Sequence, residues 1–152
     1  RSDGVTSMNV EAESAIRKLN ARYCDAIIRR DPADWGSLWH EKARWYLLGN
    51  WMEGRASIVA AWEGALSGLP VVYQRMSGEI IEVNGDFATC RVYVDEQVVD
   101  TEGKALNFVG VYNDECVYID QKWLYMVRRF DLIATNPGKL DAESWMGYPI
   151  IE

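Results

Sequence analysis

Between Gly110 and Arg129 the chain reads GVYNDECVYIDQKWLYMVRR, and this run restricts the fold more than any other. Polarity alternates as far as Ile119, the Asp120-Gln121-Lys122 step reads as a turn, and a second alternating run returns from Trp123. Side chains two apart share one face of a strand, so the pattern is an antiparallel pair with a half-buried face. On this parity Arg129 lies on the side of Trp123, Tyr125 and Val127. If Trp123 faces inward, so does Arg129.

The upstream half is helical first and β afterwards. Asn9 suits a helix cap, with Glu11 and Glu13 favourable at the positive end of the dipole. Ile16, Leu19, Tyr23 and Ile27 then form one inward stripe. Asp31 and Pro32 suit the cap and first position of a second helix that buries Trp35, Leu38 and Trp39. Ala43 to Leu48 reads as a strand, Gly49-Asn50 as a turn, and Trp51 to Glu53 as the return. Gly54 releases a third helix with Ile58, Trp62 and Ala65 or Leu66 inward, ended by Gly68 and Pro70. From Val71 the chain is β: Val71 to Met76 leads into Glu79 to Val83, and Asn84-Gly85 is a hairpin signal. Ala88, Cys90, Val92 and Val94 alternate with Thr89, Arg91, Tyr93 and Asp95 along the next strand. Thr101 to Gly103 links it to the final pair. Such an order predicts an α+β domain.

At 152 residues the chain is expected to form one domain, long enough to bury roughly two thirds of its unfolded surface. The domain is read as 8–135. Residues 136–152 form a tail whose Trp145, Met146, Tyr148 and Ile150 should pack on the rest of the domain, a partner subunit or the mouth of any pocket the domain encloses. Arg1 to Ser7 are read as a disordered or appended segment. A net charge of −7, with no basic run longer than Arg29-Arg30 or Arg128-Arg129, argues against nucleic acid or a membrane as partner. The three cysteines lack CxxC spacing and fit a reducing, cytoplasmic setting. No cluster has metal-ligand spacing and the glycines form no phosphate-cradling loop, so no metal and no cofactor is expected.

Arg22-Tyr23, Arg30-Asp31, Leu38-Trp39 running into Ala43-Arg44-Trp45, Gly54-Arg55, Gly85-Asp86 with Ala88-Thr89, and Gly110, Tyr112, Asp114 and Trp123 occur in a telling order. Together, over about Ile16 to Ile133, they resemble the SnoaL-like branch of the nuclear transport factor 2-like superfamily. The resemblance implies a cone: three N-terminal helices and a curved, mostly antiparallel sheet around a single pocket. It also implies a homodimer formed through the outer face of the sheet.

Function does not follow from such a fold alone. Ketosteroid isomerases of this superfamily use a tyrosine on helix one, which Tyr23 matches, but their two aspartates would fall at about Leu47 and near Gly110. The scytalone dehydratases place an aspartate late in helix one, a histidine on a middle strand and an asparagine in the pocket, at positions that look like Ile28, Arg75 and Tyr112 here. The hexachlorocyclohexane dehydrochlorinases, similar around Leu38 to Trp45, need the same kind of His–Asp pair. Neither pairing is present.

The remaining candidates are weighed singly. His40, the sole histidine, is expected at the C-terminal end of helix two, where an imidazolium complements the dipole. Tyr23 is either a core tyrosine bonded to backbone or a donor to a ligand oxygen. Arg75 is either half of an ion pair, with Asp95, Asp114 or Asp131, or a fork for a carboxylate, enolate or phenolate. Asp25 points about 200° away from Tyr23 around the helix. Arg129 and Asn107 are weaker polar candidates, and Trp45, Tyr73 and Tyr112 would form apolar walls. The expected function is a cofactor-independent lyase, isomerase or polyketide-cyclase-like enzyme acting on a small apolar cyclic or aromatic compound, with Tyr23 and Arg75 polarising or holding an oxygen. The general base is not identified. The alternatives are a small-ligand binding protein without turnover, and a structural subunit like the β subunits of aromatic-ring dioxygenases.

Overall fold

A computed structural model describes residues 2–137. Helix α1 (Ser2–Arg29) carries the inward stripe of Ile16, Leu19, Tyr23 and Ile27, joined by Asn20 and Ala26. It already runs from Ser2, so the segment set aside as disordered or appended is helical there. Asn9 lies inside the helix and does not cap it. Arg30 ends α1 in the left-handed region (φ 57°), with Asp31 N–H on the Ala26 carbonyl and Arg30 N–H on that of Ile27. This paired arrangement satisfies two otherwise orphaned carbonyls.

Helix α2 (Pro32–Ser37) starts as the sequence indicates, the Asp31 carboxylate accepting the Asp34 N–H at 2.9 Å. Arg22 and Arg29 on α1 both pair with Asp34, which fixes the angle between the two helices. Strand β1 (Trp39–Leu47) follows at once, so His40 belongs to a strand and not to the end of α2. Its Nδ1 accepts the Lys42 N–H at 3.0 Å. A tight turn at Leu48 and Gly49 (φ 48° and 88°) leads to β2 (Asn50–Glu53), and α3 (Arg55–Ser67) buries Ile58, Trp62 and Leu66. Among the described residues no helix is long and apolar enough to cross a membrane.

Four long strands complete the sheet: β3 (Val71–Asn84), β4 (Phe87–Val99), β5 (Ala105–Ile119) and β6 (Lys122–Pro137). The spatial order is β2-β1-β6-β5-β4-β3; β1 runs parallel to β6 and every other neighbour is antiparallel. Two-residue turns at Gly85-Asp86 and Asp120-Gln121 close the outer hairpins. Asp120 and Gln121 both have positive φ (50° and 63°), which matches the turn to the strands' right-handed twist. Helix α1 lies across the inner face against β3. The α+β architecture is thus a six-stranded, curved, open mixed sheet with helices at its N-terminal side.

Four register breaks interrupt this sheet, one of them where β1 meets β6 between Trp39 and Arg44. One extra residue sits on β3 between Ser77 and Ile80, where Gly78 has φ 71°. Two more lie on β6: Glu115 pairs with Val127 but Cys116 with Tyr125, and Val109 pairs with Ala134 but Gly110 with Leu132. The extra residues there are Met126 and Ile133. Each flips the inward parity of everything that follows it on the strand. The expected packing of the tail falls on residues outside those described.

Candidate functional site

The inner face is dominated by aromatic rings. Trp35 stacks on Trp62 at 4.6 Å with planes 8° apart, and Trp39 and Trp45 lie 5.3 and 5.6 Å from Trp35. Tyr23 meets Trp35, Trp39, Tyr112 and Tyr125 within 6.3 Å. These side chains pack together in the core between the helices and the sheet. The indole N–H groups of Trp35, Trp39 and Trp45 are buried and lack partners among the described residues.

A cation stands at the edge of this cluster. Arg128, wholly buried, places its guanidinium carbon 3.8, 4.2 and 4.3 Å from the ring centroids of Tyr112, Tyr125 and Tyr23. Its Nε and Nη2 donate to the two carboxylate oxygens of Asp114 at 2.9 and 3.2 Å, and Nη2 also reaches Asn20 Oδ1 at 3.2 Å. The Tyr125 hydroxyl donates to that same Asn20 oxygen at 2.5 Å. Arg128 Nη1 alone is left without a partner among the described residues. Burial opposes the guanidinium's charge, but Asp114 and the three phenols outweigh it and hold the group protonated. For Asp114, burial wins over the pull of Arg128 and pushes the carboxyl up to about 6.

From Arg128 a polar chain crosses the interior. The Tyr23 and Tyr112 hydroxyls are 3.5 Å apart. Gln74 Nε2 lies 3.4 Å from the Tyr112 hydroxyl and donates to Glu96 Oε2 at 3.1 Å. Cys24 Sγ approaches Gln74 Oε1 at 3.9 Å. Burial raises Tyr23 to about 12 and Tyr112 well above its ordinary value, so both phenols remain donors near neutral pH. Burial also raises Glu96, against the hydrogen bond from Gln74.

Tyr23, Tyr112 and Trp45 are all buried on the inner face, Trp45 through its contacts with Trp35 and Trp39. Arg75 is not. On β3 the inward positions are Val72, Gln74 and Met76, while Arg75 turns outward, pairs with Asp95 at 2.7 Å and has a side chain 56% exposed. The inward place next to the tyrosines belongs to Gln74. Tyr73 shares the outward parity of Arg75, whose guanidinium lies 5.3 Å from the Tyr73 ring centroid. Asn107 shares the parity of Val109 and Asn113 and likewise leaves the inner row. Arg129 also faces out, pairing with Asp131 at 2.8 and 3.1 Å and lying over Tyr46. The Met126 bulge gives its expected inward place to Arg128.

Among the described residues, two surface cavities stand out. One of about 710 Å³ lies between the N-terminal half of α1 and the hairpin tips, with Leu19, Val83 and Trp123 among its lining. The other, about 440 Å³, is a depression in the outer sheet face lined by Trp51, Arg91 and Arg129 among others.

A sequence search against curated proteins found no match. The SnoaL-like domain model matches residues 8–129, and the chain belongs to that family. Among solved structures, a protein provisionally assigned as a scytalone dehydratase from Novosphingobium aromaticivorans superposes with a TM-score of 0.81. It is 20% identical over 89% of this chain and 93% of its own. A hexachlorocyclohexane dehydrochlorinase of type 2 gives 0.79 at 17% identity, covering 85% of this chain and 90% of that one. A Nostoc punctiforme protein with a cystatin-like fold gives 0.68 at 18% identity, over 80% and 90% of the two chains. At such identities the likeness establishes the fold, and the chemistry has to come from the residues.

Proposed function

We propose that this SnoaL-like domain is a cofactor-independent lyase, isomerase or cyclase acting on a small, largely apolar cyclic or aromatic compound that carries an oxygen. One observation carries the reading: two buried phenol hydroxyls 3.5 Å apart, backed by a buried guanidinium packed on both rings. Preorganised donors beside a fixed cation stabilise negative charge developing on a bound oxygen, and do so most strongly away from water. In this reading Tyr23 and Tyr112 donate to the ligand oxygen, Arg128 supplies the field, and Trp45 forms part of the apolar wall. Arg75 takes no part from its outward position. The dehydratase and dehydrochlorinase names of the structural neighbours are of the same lyase type. Pairing of two copies through the outer sheet face, and a cytoplasmic setting, belong to the same proposal.

A second reading, a binding protein without turnover, draws support from Gln74, since a neutral amide cannot accept the proton that a histidine would. Both readings are tested with 2-tetralone, a bicyclic aromatic ketone, by quenching of tryptophan fluorescence. Losing one hydroxyl, in Tyr23→Phe or Tyr112→Phe, should weaken binding roughly tenfold, the equivalent of one hydrogen bond. Binding indifferent to both substitutions overturns the assignment. Chemical change in the bound ketone separates the enzyme from the binder.

A further inference from the structure

We propose that Glu96 is the proton acceptor of this site, removing a proton from the ligand carbon next to the oxygen held by Tyr112. The inference rests on the reading above and supplies the base it lacks. Glu96 belongs to the inward row of β4 with Val94 and Val98, beside Gln74 of β3 and opposite Phe108 of β5. It is half-buried in an otherwise apolar stretch of that row. A single amide nitrogen, Gln74 Nε2, spans Glu96 Oε2 at 3.1 Å and the Tyr112 hydroxyl at 3.4 Å. Acid and oxygen-holding phenol therefore stand on either side of one side chain, close enough to address neighbouring atoms of one small molecule.

The other inward acids are differently placed. Asp114 has both oxygens engaged by Arg128, so accepting a proton there would break a buried ion pair. Glu79 follows the Gly78 bulge, and among the described residues no hydrogen bond links it to either tyrosine. Glu96 forms no ion pair with Lys or Arg among the described residues; its one hydrogen-bond partner there is neutral Gln74. A desolvated carboxylate without a cation keeps its basicity, which suits a general base working near neutral pH.

The step balances without an oxidant or reductant. The C–H bond breaks and its proton goes to the Glu96 carboxylate. The electron pair forms a C=C bond while the carbonyl pair moves onto oxygen, giving an enolate held by Tyr112. Return of the proton to a different carbon yields an isomer; departure of a β substituent with its bonding pair yields elimination.

The test is α-hydrogen exchange of 2-tetralone in deuterium oxide, followed by proton NMR, with binding measured in parallel by fluorescence quenching. The full chain should accelerate exchange over buffer, and Glu96→Gln should remove about 10²-fold or more of that acceleration while still binding the ketone. Glu96→Asp, which keeps a carboxylate but shortens its reach, should retain part of the rate and covers the case in which the glutamine variant folds poorly. Exchange unaffected by Glu96→Gln, or a wild-type protein that binds without exchanging, overturns Glu96 as the base and leaves the binding site standing. Failure of the wild type to bind the ketone instead overturns the reading of the site, and this inference falls with it.

Discussion

Arg128 and Arg129 are consecutive, and each makes a two-pronged pair with an aspartate on nearly the same geometry: 2.9 and 3.2 Å to Asp114, 2.8 and 3.1 Å to Asp131. The first pair is fully buried; the second is 46% and 40% exposed by side chain. Distance alone therefore says little about what either contributes. Outside, water solvates both partners whether or not they meet, so the pair adds little. Inside, each ion has lost its hydration, and among the described residues Asp114, Asn20, the Met76 sulfur and three phenol rings compensate Arg128. The inner face thus holds a charge that its neighbours must continuously support. The outer face holds charges that water could support equally well.

Removing one member of each pair is the strongest way to break this contrast. Asp114→Ala strands the Arg128 charge and should cost about 3–5 kcal/mol in urea unfolding, with Tyr23 and Tyr112 losing their fixed neighbour. A loss below about 1 kcal/mol would mean that Arg128 reaches water, and the distinction between the faces would collapse. Gly110→Ala probes the same inner row sterically. A Cβ there would lie 2.3 Å from Phe130 Cε2 and 2.9 Å from the Asp131 carbonyl oxygen. The Phe130 ring can turn but the backbone oxygen cannot, so a loss of about 1–3 kcal/mol is expected, relieved only in part by Phe130→Leu.

The same two faces explain what could be read from the sequence. Helix stripes were legible because 3.6-residue spacing survives along α1 and α3: Ile16, Leu19, Tyr23 and Ile27, and Ile58, Trp62 and Leu66, are all inside. The alternation of β4 was equally plain, and extending it by one step from Val94 points to Glu96. Strand β6 misled because nothing in Tyr125-Met126-Val127 announces a bulge, and one unannounced residue exchanges Arg129 for Arg128. Strand β3 misled for another reason. Val71 and Val72 are both buried, so its start carries no parity, and a position matched by family resemblance put Arg75 where Gln74 stands. Asn9 has a capping side chain, but a cap acts only where a helix begins, and α1 begins at Ser2.

Smaller effects are expected outside. Arg75→Ala breaks an exposed pair with Asp95 and should change stability by at most about 1 kcal/mol, leaving 2-tetralone binding as it was. Arg129→Ala should behave alike, with any loss shrinking further in high salt. A clear loss of ligand affinity in either variant would mean that the outer face takes part in the site.

The finest distinction is between an inner acid with a cation and one without. Burial raises Glu96 in the folded protein, whereas the unfolded chain keeps an ordinary glutamate value of about 4.3. Below that value both states hold the proton, and Glu96 contributes its full share to stability. As pH rises the unfolded state ionises first, so the contribution diminishes until the folded carboxyl has also ionised. The groups facing Glu96 are Cys24 and Tyr23 on α1, Gln74 on β3 and Tyr112 on β5. Gln74 does not titrate, Cys24 is raised to about 11, Tyr23 to about 12, and Tyr112 well above its ordinary value, so none interferes in this window. Asp114, pushed up to about 6, titrates nearby but is common to both proteins and cancels in their difference. The Tm of the wild type minus that of Glu96→Gln should therefore fall as pH is raised from 4 toward 7. A difference that stays flat, or that grows, would place Glu96 in contact with water or with a cation and remove its claim to be a desolvated base.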